Sequence, residues 1–170
     1  MVLKLKKAKV QDMDMALELF RKTSLSLKAR NLSQWSYWSN PPMEKIQWVR
    51  DGFQRGEFVF VCDESDDFLG MFRLLPVDEL YWDEKGREPN VRYVHSLVIA
   101  TGHSGKGIGA LILKKIIENL RNEGIESLRL DCDSSNSRLC QYYEDQGFKK
   151  VGTKVTPYSV NNLYEMDLNP

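Results

Sequence analysis

The sequence predicts a mixed α/β chain of the α+β class, one domain over residues 1–170 built on a mixed sheet with helices packed on it. Three observations predict it. Alternating or continuous apolar runs mark strands. Segments with apolar residues three and four apart mark helices. Their order (strand, helix or helices, three strands, helix, strand, helix, two strands) is not the regular alternation of a doubly wound sheet.

"VLKLKKAKV" alternates at period two and reads as a first strand, half exposed and basic on one face. "QDMDMALELFRKTS" follows as a helix, with Asp12 as N-cap and Met13, Ala16, Leu17 and Phe20 at helical spacing. Residues 30 to 48 hold three of the chain's four tryptophans and a Pro-Pro break. Two readings fit them: hydrophobic staples holding a helical connection on the core, or an aromatic wall, Trp35 and Trp38 in particular, beside a substrate entrance. "EFVFVC" and "FLGMFRLL" flank the acidic, turn-like "DESDD" and form an antiparallel hairpin. "PVDELYWDEKGREPN" reads as a polar loop. "VRYVHSLVI" is a long strand leading into "ATGHSGKGIGA" and a helix at about 107 to 122. "ESLRLDCD" is the next strand, "NSRLCQYYEDQG" a short helix ended by Gly147, and "FKKVGTKV" with "NLYEMDL" a closing strand pair.

Composition bounds the function. Lysine plus arginine and aspartate plus glutamate are both 24, so no global field recruits nucleic acid or an anionic membrane. Cys62, Cys132 and Cys140 form neither an even disulfide set nor a CxxC pair and read as reduced core thiols, with no metal site expected. "MVLKLKKAKVQD" lacks the apolar block of a signal peptide, and no run approaches ~18 apolar residues, so a cytoplasmic protein is expected.

Three glycines in five positions, Gly105, Gly107 and Gly109, open directly into a helix. There, unpaired N–H groups and the positive end of the helix dipole converge and favour phosphate. The stretch formally satisfies G-x-G-x-x-G/A at Gly105, Gly107 and Ala110. However, "ATGHS" separates Ile99 from Gly105, and too little chain follows for a second mononucleotide half. A Walker loop needs Ser or Thr after its lysine, and Gly107 follows Lys106.

With its flanks, "LVIATGHSGKGIGALIL" resembles the acetyl-CoA signature Q/R-x-x-G-x-G/A of the GNAT superfamily of N-acetyltransferases. Gly107 and Gly109 take the glycine positions, and Ser104 stands where Gln or Arg is usual, which costs one long donor. "NSRLCQYYEDQGF" looks like the family's N-x-x-A-x-x-h-Y-x-x-x-G-F segment, with Asn136, Tyr143, Gly147 and Phe148 in register and Leu139 where alanine is common.

The resemblance implies a mostly antiparallel, twisted sheet of about seven strands whose central strands splay, flanked by about four helices. It implies acetyl-CoA as cofactor, its pyrophosphate on N–H groups of Ser104, Gly105, Lys106, Gly107, Ile108 and Gly109. Backbone groups of Leu97, Val98 and Ile99 would hold the pantetheine and polarise the thioester carbonyl, with Asn136 and Tyr143 completing the cofactor site. Tyr143 holds the position of the acid that protonates the leaving thiolate, while Tyr142 is expected to turn toward the core. Period two puts Tyr93, His95, Leu97 and Ile99 on one strand face, with Tyr93 beside the substrate and His95 as candidate base, or alternatively a core histidine. His103 is the only other histidine. Asp131 and Asp133 are the alternatives for binding or deprotonating a cationic amine. The expected activity is acetyl transfer to a primary amine of a small molecule or peptide. The alternative is a coenzyme A-binding sensor or interaction module. A homodimer is compatible, since many members pair through their C-terminal strands.

Overall fold

A computed structural model describes residues 1–170. Seven strands form one sheet in the order β1-β2-β3-β4-β5-β7-β6, and every pairing described below is antiparallel except β4 with β5. The chain divides into two compact units, Met1–Arg73 with Ser96–Ile112, and Leu74–His95 with Leu113–Pro170. No helix is long and apolar enough to cross a membrane.

In the first unit, β1 (Lys4–Lys7), β2 (Phe58–Cys62) and β3 (Phe68–Leu75, to Arg73 in this unit) form an antiparallel meander with register Lys7↔Val59 and Phe58↔Arg73. The expected hairpin is present, slipped by one residue between Val61 and Cys62. Gly70 is where β3 meets the backbone before the glycine loop: a Cβ there would lie 2.4 Å from the Val98 carbonyl oxygen, so no larger residue fits.

Helices α1 (Met13–Ala29) and α2 (Met43–Gln54) carry the apolar stripe that covers this unit. Asp12 does not cap α1 with its own side chain as expected. A 3-10 turn over Val10–Asp12 intervenes, and the Asp12 carboxylate accepts the Lys9 N–H instead (2.8 Å). Phe20, Trp38, Val49, Phe53, Phe58, Met71 and Val98 form the core. Arg73 is buried inside it because Glu57 accepts from its Nε (2.8 Å), the Trp48 carbonyl from its Nη1 (2.8 Å), and the Trp48 indole lies 4.1 Å below it.

In the second unit, β4 (Val91–Ile99, to His95 here) pairs in parallel with β5 (Ser127–Asp133) at Val91↔Ser127, Arg92↔Leu128 and Tyr93↔Arg129 only. β5 runs on to Asp133, paired on its other side with β7 (Val160–Asp167), and β6 (Lys149–Val155) closes the edge. Helix α4 (Ile108–Asn122) connects β4 to β5, and α5 (Ser137–Asp145) connects β5 to β6.

The stretch expected as a loop is folded. It forms a one-turn helix, α3 (Glu79–Trp82), and a 3-10 turn over Asp83–Arg87. Gly and charged residues disguised it. What orders it is Trp82, buried over Tyr93, and Arg129, which donates to the Lys85 carbonyl (3.0 Å) and to Glu88 (2.5 Å).

Candidate active site

His95 lies on β4 immediately before Ser96, whose φ of +54° is left-handed. Such a conformation at a non-glycine residue costs on the order of 1–3 kcal/mol and collects at functional sites. It also ends the two-residue alternation, so the expected common face of Tyr93, His95, Leu97 and Ile99 does not carry past His95.

The imidazole is held between two carboxylates. Its Nε2 is 2.6 Å from Asp78 Oδ2 and its Nδ1 is 3.4 Å from Asp131 Oδ1, with side-chain exposures of 10% for His95, 4% for Asp78 and 6% for Asp131. Asp78 comes from the N-cap of α3, where its Oδ1 accepts the Tyr81 N–H (3.4 Å), and the Tyr81 ring lies 5.0 Å from the imidazole. Asp131 comes from β5, and its Oδ2 accepts from Asn161 Nδ2 (2.6 Å) on β7. An ionised carboxylate only accepts hydrogen bonds, so with Asp78 ionised the short contact is one that Nε2 donates. The three groups lie within metal-ligand range of one another. The carboxylates address opposite ring nitrogens, however, an arrangement that suits proton transfer rather than one shared ion.

Tyr93 is fully buried. It donates to the Lys85 carbonyl (2.7 Å) and accepts from Arg129 Nη1 (3.2 Å), and burial raises its phenol pKa. It therefore does not line a substrate site as expected, because the folded stretch after Asp78 covers it. Asp133 accepts from the N–H (2.9 Å) and Oγ (2.6 Å) of Ser135, which commits its carboxylate to a turn.

On α5, Tyr143 is the buried tyrosine and Tyr142 the half-buried one, the reverse of the expected orientation. Phe148 and Tyr164 flank the Tyr143 ring at 5.9 and 6.3 Å, and these apolar neighbours claim the inward face. Burial pushes its phenol far up, so it stays protonated. Asn136 caps α5 by accepting the Leu139 N–H (3.1 Å). Beneath Tyr143, Cys132 and Cys140 meet at 3.2 Å. None of the three cysteines is in a disulfide and all are buried, as expected of core thiols.

In the first unit, Gly102, Gly105 and Gly107 have φ of +88°, +75° and +74°, and a Cβ at any of them would meet nothing within 4 Å. These glycines supply backbone sign, not space. Left-handed glycines on either side of Lys106 are the kind of backbone from which anion-binding concavities are built, and the loop leads into the α4 N-terminus, whose free N–H groups favour an anion. Ser104, Gly105, Lys106 and Gly107 are exposed and Gly109 half-buried, while the buried Ile108 side chain anchors the first turn. The backbone and the donor set thus fit a pyrophosphate. Leu97 and Ile99 are half-buried and Val98 is buried.

The aromatic segment packs as staples: Trp38, 4% exposed, stacks on Phe20 at 4.6 Å, and Trp35 meets the Phe20 edge at 5.6 Å. Its core position takes Trp38 out of a substrate wall. Of the residues singled out in the sequence, then, His95 and Asp131 meet. Asp78, Tyr81 and Asn161 join them without having been anticipated. The one available signal for Asp78 was its placement as an N-cap before "ELYW".

The family model for the acetyltransferase (GNAT) family matches residues 25–148. The aminoglycoside N(6')-acetyltransferase type 1 of Klebsiella pneumoniae is 32% identical over 77 residues, 45% of this chain and 38% of that protein. The chain thus spans well under half the length of that relative. A GNAT-family acetyltransferase from Listeria monocytogenes shares the fold with a TM-score of 0.77 at 20% identity, over 97% of this chain and 94% of that one. So does an aminoglycoside acetyltransferase AAC(6')-Ib crystallised with coenzyme A, with a TM-score of 0.74 at 20% identity, over 98% and 95%. With the signature loop built on left-handed glycines and the strand order of that fold, the chain belongs to the acetyltransferase (GNAT) family.

Proposed function

We propose that this chain is an N-acetyltransferase that moves the acetyl group of acetyl-CoA onto a primary amine of a small cationic molecule or peptide, with His95 accepting the proton. The observation that carries the reading is the Asp78–His95–Asp131 triad, buried and oriented on the strand that runs on into the glycine loop.

Acetyl-CoA supplies the activated thioester. N–H groups of residues 104 to 109 bind its pyrophosphate, Lys106 adds charge, and the backbone of Leu97, Val98 and Ile99 pairs with its pantetheine arm as an added strand does. Nδ1 of His95 takes the amine's proton as the amine nitrogen bonds the acetyl carbon and the carbon–sulfur bond breaks. Tyr143, at the position that the family motif gives to the acid, packs inward on Phe148 and Tyr164 and would reach the departing sulfur only by turning its hydroxyl toward the cleft. A free thiol has a pKa of about 8.5, below the buried phenol, so complete transfer from Tyr143 runs uphill and its service is to stabilise the charge. An ammonium substrate loses one proton to solvent before attack, and the proton then taken by His95 passes through solvent to the thiolate, so the products are amide, free thiol and one proton.

Two carboxylates around one imidazole favour a cationic acceptor. The aminoglycosides in the names of the Klebsiella relative and the coenzyme A-bound neighbour are amines of that kind.

The test is thiol release from acetyl-CoA across aminoglycosides, polyamines and peptide N-termini, with His95→Gln in parallel. Release with at least one amine, lost in the variant, is the expected result. A thermal shift with acetyl-CoA but no amine-dependent release from any of them would leave a coenzyme A-binding module instead.

A further inference from the structure

We propose that Asp78 is a positioning residue for the transfer: it holds His95 with hydrogen on Nε2, so that Nδ1 faces Asp131 as the proton acceptor, and Gly86 sets where Asp78 stands. The inference rests on His95 being the base.

The two ring contacts are unequal. Asp78 Oδ2 lies 2.6 Å from Nε2, within the range of a short charge-assisted hydrogen bond, and Asp131 Oδ1 lies 3.4 Å from Nδ1. In a neutral imidazole one nitrogen carries hydrogen and the other a lone pair, and the shorter contact decides which. A helix cap does not itself call for a carboxylate this buried, since Ser, Thr or Asn caps as well. Burying a charge needs a partner, and the partner here is the imidazole.

The segment around Asp78 is constructed to deliver it. The Asp78 N–H donates to the Gly86 carbonyl (3.0 Å), and the Asp78 carbonyl accepts from Trp82 (3.1 Å). A Cβ on Gly86 would lie 2.2 Å from the Asp78 carbonyl oxygen and 2.4 Å from its carbon. No side chain is tolerated at that contact, because the atoms in the way are backbone. Arg129 fixes the far end through the Lys85 carbonyl and Glu88. Tyr81, from the same helix turn, lies against the ring itself.

The experiment combines steady-state kinetics on Asp78→Asn, Gly86→Ala, His95→Gln and the Asp78→Asn/His95→Gln double variant with nitrogen-detected NMR of the ring. The chain has only two histidines, so the spectrum is assignable. An amide at position 78 can donate to Nε2 and so reverse the tautomer. We expect kcat for Asp78→Asn to fall about 10²-fold or more, within the usual range for general acid–base contributions, with KM for acetyl-CoA within about twofold of wild type.

In the His95→Gln background the same change should cost nothing further, because residues acting as a unit are not additive. Gly86→Ala, which keeps the carboxylate but displaces it, should lower kcat in the same way. In wild type, Nε2 should carry an exchange-protected proton that Asp78→Asn loses. Full activity of Asp78→Asn while His95→Gln is dead overturns this inference and leaves the base reading standing. Full activity of His95→Gln overturns both. Should Asp78→Asn not fold, a wild-type ring protonated only on Nδ1 overturns the proposal by itself.

Discussion

Arg129→Met should destabilise the second unit by a few kcal/mol, and the contacts of the guanidinium show why. It is 7% exposed. It donates to the Lys85 carbonyl (3.0 Å), the Tyr93 hydroxyl (3.2 Å), Glu88 (2.5 Å) and Glu165, and it lies 4.8 Å over the Trp82 ring. Methionine replaces the apolar stem without branching, so the charge is what is lost. Breaking a buried ion pair costs about 3–5 kcal/mol when the abandoned charge stays buried. Here Glu88 and Glu165 keep side-chain exposures of 42% and 33%, so water can solvate both, and the Lys85 carbonyl keeps the Tyr93 hydroxyl. The expected loss is therefore shifted down from that range, to about 2–4 kcal/mol. For a chain of this size that corresponds to roughly 5–15 °C in Tm. Thermal and denaturant unfolding of Arg129→Met, Glu165→Gln and the pair measures it. The two changes should fail to add by about 1 kcal/mol or more, as for residues in one network. A Tm within about 1 °C of wild type refutes the reasoning, since packing alone would then order residues 78–88.

Stability should fall steeply at high pH. Burial raises the Tyr143 and Tyr93 phenols above the unfolded value of about 10, so both states are protonated below that pH and the unfolded chain ionises first above it. Each phenol then removes up to about 1.4 kcal/mol per pH unit, and Tyr143→Phe should show the shallower slope in denaturant melts between pH 10 and 11. Gly107→Ala, strained at a φ of +74° with no clash, should cost about 1–2 kcal/mol and shrink the thermal shift produced by acetyl-CoA, whereas an undiminished shift argues against an anion cradle there. All three cysteines are buried, and burial pushes the Cys132 thiol up, so a thiol reagent should label the native protein slowly and count three thiols only after denaturation. Rapid native labelling of Cys132 or Cys140 would show that the second unit opens around them.

Much of the architecture is legible because its causes are local. The continuous apolar runs "FVFVC" and "FLGMFRLL" either side of a turn, the helical stripe after the glycines, and Gly147 at φ +97° closing α5 each act within a few residues. Short-range steric preference suffices to set each of them. The stretch after Pro76 is illegible for the opposite reason. Its own preferences suggest a loop, and it folds because Arg129, more than 40 residues away in sequence, bonds the Lys85 carbonyl.

The candidate site divides along the same line. The phosphate loop declares itself, since a left-handed backbone at Gly105 and Gly107 needs glycine whatever surrounds it. His95 and Tyr143 stand out by chemistry and by motif. The partner of His95 does not stand out, because a hydrogen bond joining residues 17 apart leaves no periodicity to read. The inward turn of Tyr143 depends on Phe148 and Tyr164, and the end of strand alternation at Ser96 is paid for by contacts elsewhere in the fold. Element order, the glycine loop and the chemical types at the site follow from short-range sterics and composition. Which carboxylate meets which ring nitrogen follows from packing, because only the folded chain brings Asp78, His95 and Asp131 within reach of one another.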